Sequence, residues 1–386
     1  MKRYLATAVV ALAAASGLAG GTAVPALAST AGVQRPSAQA TPAAVGPAAA
    51  TALRVMPLGD SITWGVGSST GDSYRQALLT DLTGEGHTVD MVGSVRNGTM
   101  ADPDNEGHSG YRIDQIAALA DASLDRYRPN VVTLEIGTND LNQAYQVPTA
   151  TDRLHALVDQ ITADVPDATV LVASLIVSTN PVEEPYRPAF NQAIPGIVQA
   201  EQAAGKHVGY VDMSALTAAD LSDQLHPNDG GYVKMATAFN SGVQSADSAG
   251  WIKAPVAMAA RVTSGIAGKC LDDKGGSNVD GTAVELWDCN GSAAQLWSAY
   301  TDGSLRVAGK CLDATGAATA NDTKAEIWDC DGGGNQVWRA YDGGYRNPVS
   351  GRCLDDPSSS TTNGTQLQLW DCNGTNAQKW SALQPG

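Results

Sequence analysis

No cysteine occurs before Cys270 in this chain of 386 residues, and phenylalanine occurs only twice and histidine five times. Each shortage excludes something. Disulfides and thiolate-held metals are ruled out for the first two thirds of the chain. With two phenylalanines and no apolar segment that could serve as a lid, a lipid-opening surface is disfavoured. Basic residues are scarce too. The 24 Lys and Arg face 40 Asp and Glu, a net charge of -16, so nucleic-acid backbones and anionic membranes are poor partners. Beyond the N-terminus no apolar run is long enough to cross a bilayer.

That N-terminus is different. "MKRYLATAVVALAAASGLAGGTAVPALAS" places Lys2 and Arg3 before an apolar region and ends in Ala26-Leu27-Ala28, a small-residue cleavage pattern. Residues 1–28 are expected to be a signal peptide and the chain to be secreted, its charge falling to -18 once Lys2 and Arg3 are removed. Residues 29–51, rich in Ala and Pro, are expected to be a spacer.

From 52 to 248, five strand-like runs alternate with helix-like stretches: "LRVMPLGDSI", "HTVDMVGSV", "VVTLEIGTND", "ATVLVASLIV" and "HVGYVDMSA". Amphipathic spacing in "DQIAALADASLDRY" and "TDRLHALVDQITADV" marks helices. The alternation predicts an α/β domain with a five-stranded parallel sheet covered on both faces, and ligands at the carboxyl ends of its strands. A short linker, 249–255, should follow. From 256 to 386 the pattern changes to three copies of a Cys-Leu-Asp…Trp-Asp-Cys…Gln-x-Trp unit, with first cysteines at 270, 311 and 353. Such self-similarity predicts a separate all-β domain built from one unit used three times. One disulfide per copy is expected: Cys270–Cys289, Cys311–Cys330 and Cys353–Cys372.

Ser61, in "GDSIT" at the end of the first run, becomes a nucleophile only if a base takes its proton and donors hold the oxyanion. Two histidines follow an aspartate at the spacing Asp-x-x-His: His155 after Asp152, and His226 after Asp223. His155 sits on an amphipathic helix, whereas His226 precedes Pro227 in a loop after the fifth strand, where it could reach across the sheet edge. His226 is preferred. Ser69 fits the pattern G-x-S-x-G in "GSSTG" but lies beyond the turn, and Ser109 in "GHSG" fails the spacing. Oxyanion donors would be the backbone N–H groups of Ser61 and Gly93 and the side chain of Asn139 in "GTND".

Taken in order, "GDSIT", "MVGS", "GTND" and "DQLHP" resemble the four blocks of the SGNH (GDSL-type) hydrolases. The resemblance implies a flavodoxin-like, three-layer α/β/α sandwich and a serine esterase. In it, Asp223 orients, His226 is the base and then the acid, and Ser61, Gly93 and Asn139 form the oxyanion hole. "NEGHSGYRIDQI", Asn105 to Ile116, resembles the carbohydrate-esterase branch that contains acetyl xylan esterases. No metal or other cofactor is called for.

The three repeats resemble ricin-B-type β-trefoil lectins and the xylan-binding modules on that fold. The Gln-x-Trp rings Trp297, Trp338 and Trp380 are expected in the core. By resemblance, the sugar sites would be Asp272, Trp287 and Asn290; Asp313, Trp328 and Asn335; and Asp355, Trp370 and Asn373. The copies are unequal: Asp331 replaces the asparagine seen at 290 and 373, and Ala294 and Ala377 stand where the second copy has Asn335. The expectation is a monomeric, extracellular esterase removing acetyl or related acyl groups from xylan-like polysaccharide. An esterase on lipid or small acyl esters, and a carbohydrate-binding protein without activity, are the alternatives.

Overall fold

The computed structural model describes residues 52–384, so the expected signal peptide and the expected spacer lie outside the described residues. The first strand, β1 (Ala52–Gly59), leads through one tight turn into a short helix, α1 (Ser61–Trp64). Then come α2 (Arg75–Gly84), β2 (Thr88–Met91), β3 (Val95–Arg96), β4 (Asp104–Gly107) and α3 (Ile113–Tyr127). The rest of this half is β5 (Val131–Glu135), α4 (Thr138–Asn142), α5 (Ala150–Asp164), β6 (Thr169–Ala173), α6 (Arg187–Ala203), β7 (Val208–Val211) and α7 (Asp229–Ser248).

The five expected strands form a parallel sheet in the order β2-β1-β5-β6-β7. Their apolar residues alternate between two faces, as the period of a strand requires. Met56, Leu58, Val132 and Leu134 join α3, α5 and α6 on one face, while Leu53, Val55 and Val131 join α2 and α7 on the other. This is the three-layer α/β/α sandwich. Two strands were not anticipated: β4 adds parallel to the carboxyl end of β1, and β3 pairs antiparallel with β4. The residues of β4, "DNEG", have poor strand propensity. They hold there because buried Asn105 donates to the carbonyls of Pro103 and Val95 and accepts from the N–H of Gly107.

Twelve short strands between Ala260 and Trp370 make up the second half, a β-trefoil. The three disulfides pair as expected. Each Gln-x-Trp ring is buried and donates its Nε1–H to the carbonyl of the Cys-Leu-Asp leucine of its own repeat: Trp297 to Leu271, Trp338 to Leu312 and Trp380 to Leu354.

Residues 249–255 run along the amino-terminal ends of the strands. Trp251 stacks on His207 with ring centroids 5.6 Å apart, and Asn130 Nδ2 donates to the Lys253 carbonyl at 2.6 Å. Beyond them, Arg54 Nη1 donates to the Val256 carbonyl at 2.6 Å. The trefoil then docks on the carboxyl end of α3, where the buried Asp125 carboxylate accepts from Tyr300 Oη and, at 2.7 Å, from the Gly309 N–H. Arg128 and Arg306 each lie over the Tyr300 ring, at 3.7 and 3.8 Å from its centroid. This contact is at the opposite end of the sheet from Ser61.

Candidate active site and glycan sites

The turn carrying Ser61 is fixed by close packing. A Cβ at Gly59 would lie 2.3 Å from the Glu135 carbonyl, so the backbone can pass there only as glycine. Asp60 caps α1, accepting the Ile62 N–H at 3.0 Å, and leaves Ser61 as the first helical residue with an N–H that has no intrahelical partner. His226 arrives from the far side of the sheet. Its loop is pinned by the bond from the Ser222 N–H to its own carbonyl, at 2.8 Å, and by Asp223 Oδ1, which accepts the N–H groups of Leu225 and His226 at 2.8 Å each. The other carboxylate oxygen, Oδ2, lies 2.8 Å from His226 Nδ1, and His226 Nε2 lies 3.0 Å from Ser61 Oγ. Burial pushes the Asp223 pKa up, but the bonds from Leu225 and His226 outweigh it and hold the carboxyl below its ordinary value. Asp223 is thereby kept anionic opposite the imidazole, the arrangement in which a histidine can accept the serine proton and be stabilised as imidazolium.

His155 is elsewhere, on α5, 2.7 Å from Glu201 in an ion-pair network with Asp159 and Lys206. Its ligand-capable atom lies within 4.8 Å of those of the two acids, but the Lys206 ammonium already bridges their carboxylates. Ser69 lies in an exposed loop held by Asp229.

Gly93 follows β2 with φ +154, and a Cβ there would fall 2.1 Å from the Asn105 carbonyl. The next residue, Ser94, is clamped by the buried Glu106 carboxylate, which takes its N–H and its hydroxyl at 2.7 Å each. His108 Nε2 sits 2.7 Å from the same carboxylate. Burial raises the Glu106 pKa, but the bonds from His108 and Ser94 outweigh it, so it stays below the ordinary value. The peptide between Gly93 and Ser94 is therefore held rigidly. Glu106 lies inside "NEGHSGYRIDQI", but nothing in that stretch marks this role. Asn139 lies on α4, just past the carboxyl end of β5, but its amide is engaged: Nδ2 lies 3.2 Å from Asp60 Oδ2 and 3.0 Å from the Tyr111 carbonyl. To bind an oxyanion, it must release one of these acceptors.

Beneath the nucleophile, Asp60, Glu135 and Glu183 are all buried. Asp60 is pushed up to about 7, chiefly by burial and then by repulsion from Glu183 and Asp140, against the bond from the Ile62 N–H. Burial likewise takes Glu183 to about 7, and burial with repulsion from Asp60 and Glu183 raises Glu135. A single charge inside the otherwise apolar run "VVTLEIG" was the available signal for Glu135. Between about pH 4 and 7 the folded protein holds more protons on these groups than the unfolded chain, so stability is lost as pH rises through that window. Thermal unfolding followed from pH 4 to 8 should show Tm falling, and less steeply in Glu135→Gln. A Tm rising across the same window would contradict the burial of these carboxyls.

In the trefoil, Asp272, Asp313 and Asp355 are buried and receive the Nε2 of Gln295, Gln336 and Gln378 at 2.7, 2.9 and 3.0 Å. Trp287 and Trp328 are 37% and 42% exposed, and Trp370 is partly exposed. Only Asn335 reaches its aspartate, donating to Asp313 at 2.6 Å. Asn290 and Asn373 instead close turns, their Oδ1 accepting the N–H of Ser292 and Thr375 at 2.8 and 3.0 Å. Directly across the strand pairs from the three aspartates stand Glu285, Glu326 and Gln368, polar residues that no motif marks. A groove of about 610 Å3 at the first repeat is lined by Asp272, Lys274, Glu285, Trp287 and Asn290 among others.

Residues 58–234 match the GDSL-like Lipase/Acylhydrolase family, and residues 258–380 match the ricin-type beta-trefoil lectin domain. Over 223 residues, 48% of the chain, the protein is 29% identical to a multidomain esterase of Ruminococcus flavefaciens, covering 28% of that protein. It is 38% identical over 128 residues, 32% of the chain, to a putative endoglucanase X of Acetivibrio thermocellus, covering 54% of it. The chain thus spans well under two thirds of either curated relative. A solved Clostridium thermocellum family 3 carbohydrate esterase is 37% identical, with 51% of this chain and 98% of that one covered and a TM-score of 0.47. Residues 58–234 thus form a GDSL-like lipase/acylhydrolase domain, and residues 258–380 a ricin-type β-trefoil lectin domain.

Proposed function

We propose that this protein is a secreted serine esterase that removes acyl groups, acetyl foremost, from plant cell-wall polysaccharide such as xylan, with the trefoil holding it on the polymer. The observation that carries the reading is the continuous hydrogen-bonded line from Ser61 Oγ through His226 to Asp223. Ser61 attacks the ester carbonyl while His226 Nε2 takes its proton. The tetrahedral oxyanion is held by the N–H groups of Ser61 and Gly93 and by Asn139. His226 then protonates the departing sugar oxygen, and a water activated by the same imidazole releases the acid from Ser61.

The Asn139 role has its own expected result. Asn139→Ala should cost on the order of 3 kcal/mol, read mainly in kcat, because its donor binds charge that exists only in the transition state. A change confined to KM would count against this role.

The deciding experiment compares acetate release from acetylated xylan with hydrolysis of long-chain p-nitrophenyl esters. A second reading, longer acyl groups, is favoured by an apolar groove of about 610 Å3 beside α4, lined by Leu141, Val147, Pro148, Tyr186 and Phe190. Faster turnover of the long-chain esters would support it. For the tether, replacing Trp287, Trp328 and Trp370 together by alanine should abolish retention on insoluble xylan, since the stacking rings are lost while Trp297, Trp338 and Trp380 keep the core. Unchanged retention in pull-down would remove the trefoil from polymer binding.

A further inference from the structure

We propose that the indole of Trp64 is the platform on which the sugar ring bearing the scissile ester stacks, and so sets the preference for carbohydrate esters. The proposal rests on the carbohydrate-ester reading above. Trp64 is the last residue of α1, three positions after Ser61, so the two side chains are neighbours on one helical face with Cβ atoms about 5–6 Å apart. The other three residues of α1 are buried, whereas Trp64 is 37% exposed. Its ring is not among the residues of either hydrophobic cluster flanking the sheet.

Its backbone, by contrast, is held from three directions. The N–H donates to the Asp60 carbonyl at 2.9 Å. The carbonyl accepts from Arg75 Nη2 at 3.2 Å and from Asn97 Nδ2. Gly107 packs so closely that a Cβ on it would stand 2.5 Å from the Trp64 nitrogen. Arg75 is itself fully buried; the same Nη2 also reaches the carbonyls of Gly71 and Asn97 at 2.8 and 3.1 Å, and Nη1 donates to that of Pro103 at 2.9 Å. A buried guanidinium draws in acceptors of this kind, and these bonds tie four chain segments around Trp64 into one frame. An aromatic face kept in water, on fixed backbone one helical turn from the nucleophile, is what stacking on the C–H face of a pyranose requires.

The test measures acetate release from acetylated xylotriose and from ethyl acetate, whose leaving group has no ring. In Trp64→Ala the ratio of kcat/KM for xylotriose ester to that for ethyl acetate should fall about tenfold, mostly through KM, since stacking is equal in ground and transition states. Trp64→Phe should recover most of the ratio, and it keeps the test open if the alanine variant fails to fold. A ratio unchanged in Trp64→Ala, or not recovered by Trp64→Phe, would overturn the platform alone. Wild-type protein that releases acetate from ethyl acetate but not from acetylated xylotriose would overturn the carbohydrate reading and the platform together.

Discussion

Replacing Ser61 by alanine is expected to lower kcat by about three orders of magnitude or more, with folding intact. The hydroxyl lies 3.0 Å from His226 Nε2, and no other serine reading from the sequence reaches that imidazole. Removing it leaves the oxyanion donors and the substrate-binding surface in place, so the residual rate reports those alone. His226→Ala should behave the same way, because the base and the nucleophile act as a unit. Ser69→Ala and His155→Ala serve as controls, as one lies in an exposed loop and the other pairs with Glu201 on α5. Turnover of a soluble acetyl ester, measured beside circular dichroism to verify folding, decides it. Retained activity in Ser61→Ala, or loss in Ser69→Ala, would reassign the nucleophile.

Much of this arrangement was legible in the sequence because short-range chemistry writes it there. β-branched and aliphatic runs bounded by Gly, Asp and Asn specify β1, β2, β5, β6 and β7, and the residues at their carboxyl ends mark where Ser61, Gly93, Asn139 and His226 gather. The cysteine spacing of 19 within each repeat likewise corresponds to a local hairpin-like closure. What was not legible depends on contacts between distant, individually unremarkable residues. β4 is a strand because Asn105 and Glu106 find buried partners, against their propensities. The carboxyl cluster under Ser61 joins Asp60, Glu135 and Glu183 from three different segments, and only the first stands in a motif. The different offsets of Asn290 and Asn335 from the Gln-x-Trp glutamine were legible, but that the first closes a turn while the second reaches an aspartate is set by the packing.

Removing residues 249–386 should lower the unfolding temperature of the remaining α/β domain by about 10 °C or more while leaving its rate on a soluble ester at low temperature within about twofold. The linker and the change of pattern in the sequence mark two separable parts, and the packing joins them. Truncation takes away the bonds of Arg54 to Val256, Asn130 to Lys253 and Arg126 to Ala259, as well as those made to Asp125 by Ser298, Tyr300 and Gly309. At a net value of about 1 kcal/mol each, these six bonds sum to about 6 kcal/mol, a large share of the 5–15 kcal/mol typical of a folded domain. At roughly 2–4 °C per kcal/mol for a domain of about this size, the shift is readily measured. Activity should survive because the docking surface lies at the amino-terminal ends of the strands, and Ser61 and His226 at the opposite ends. Tyr300→Phe in the full chain isolates one contact: it removes the phenol donor from a buried carboxylate, worth about 1.5–3 kcal/mol, and should lower Tm by a smaller step in the same direction. Scanning calorimetry on the three proteins, with ester hydrolysis assayed on the same samples, makes the comparison; identical unfolding temperatures would mean the trefoil is carried by the esterase domain without supporting it.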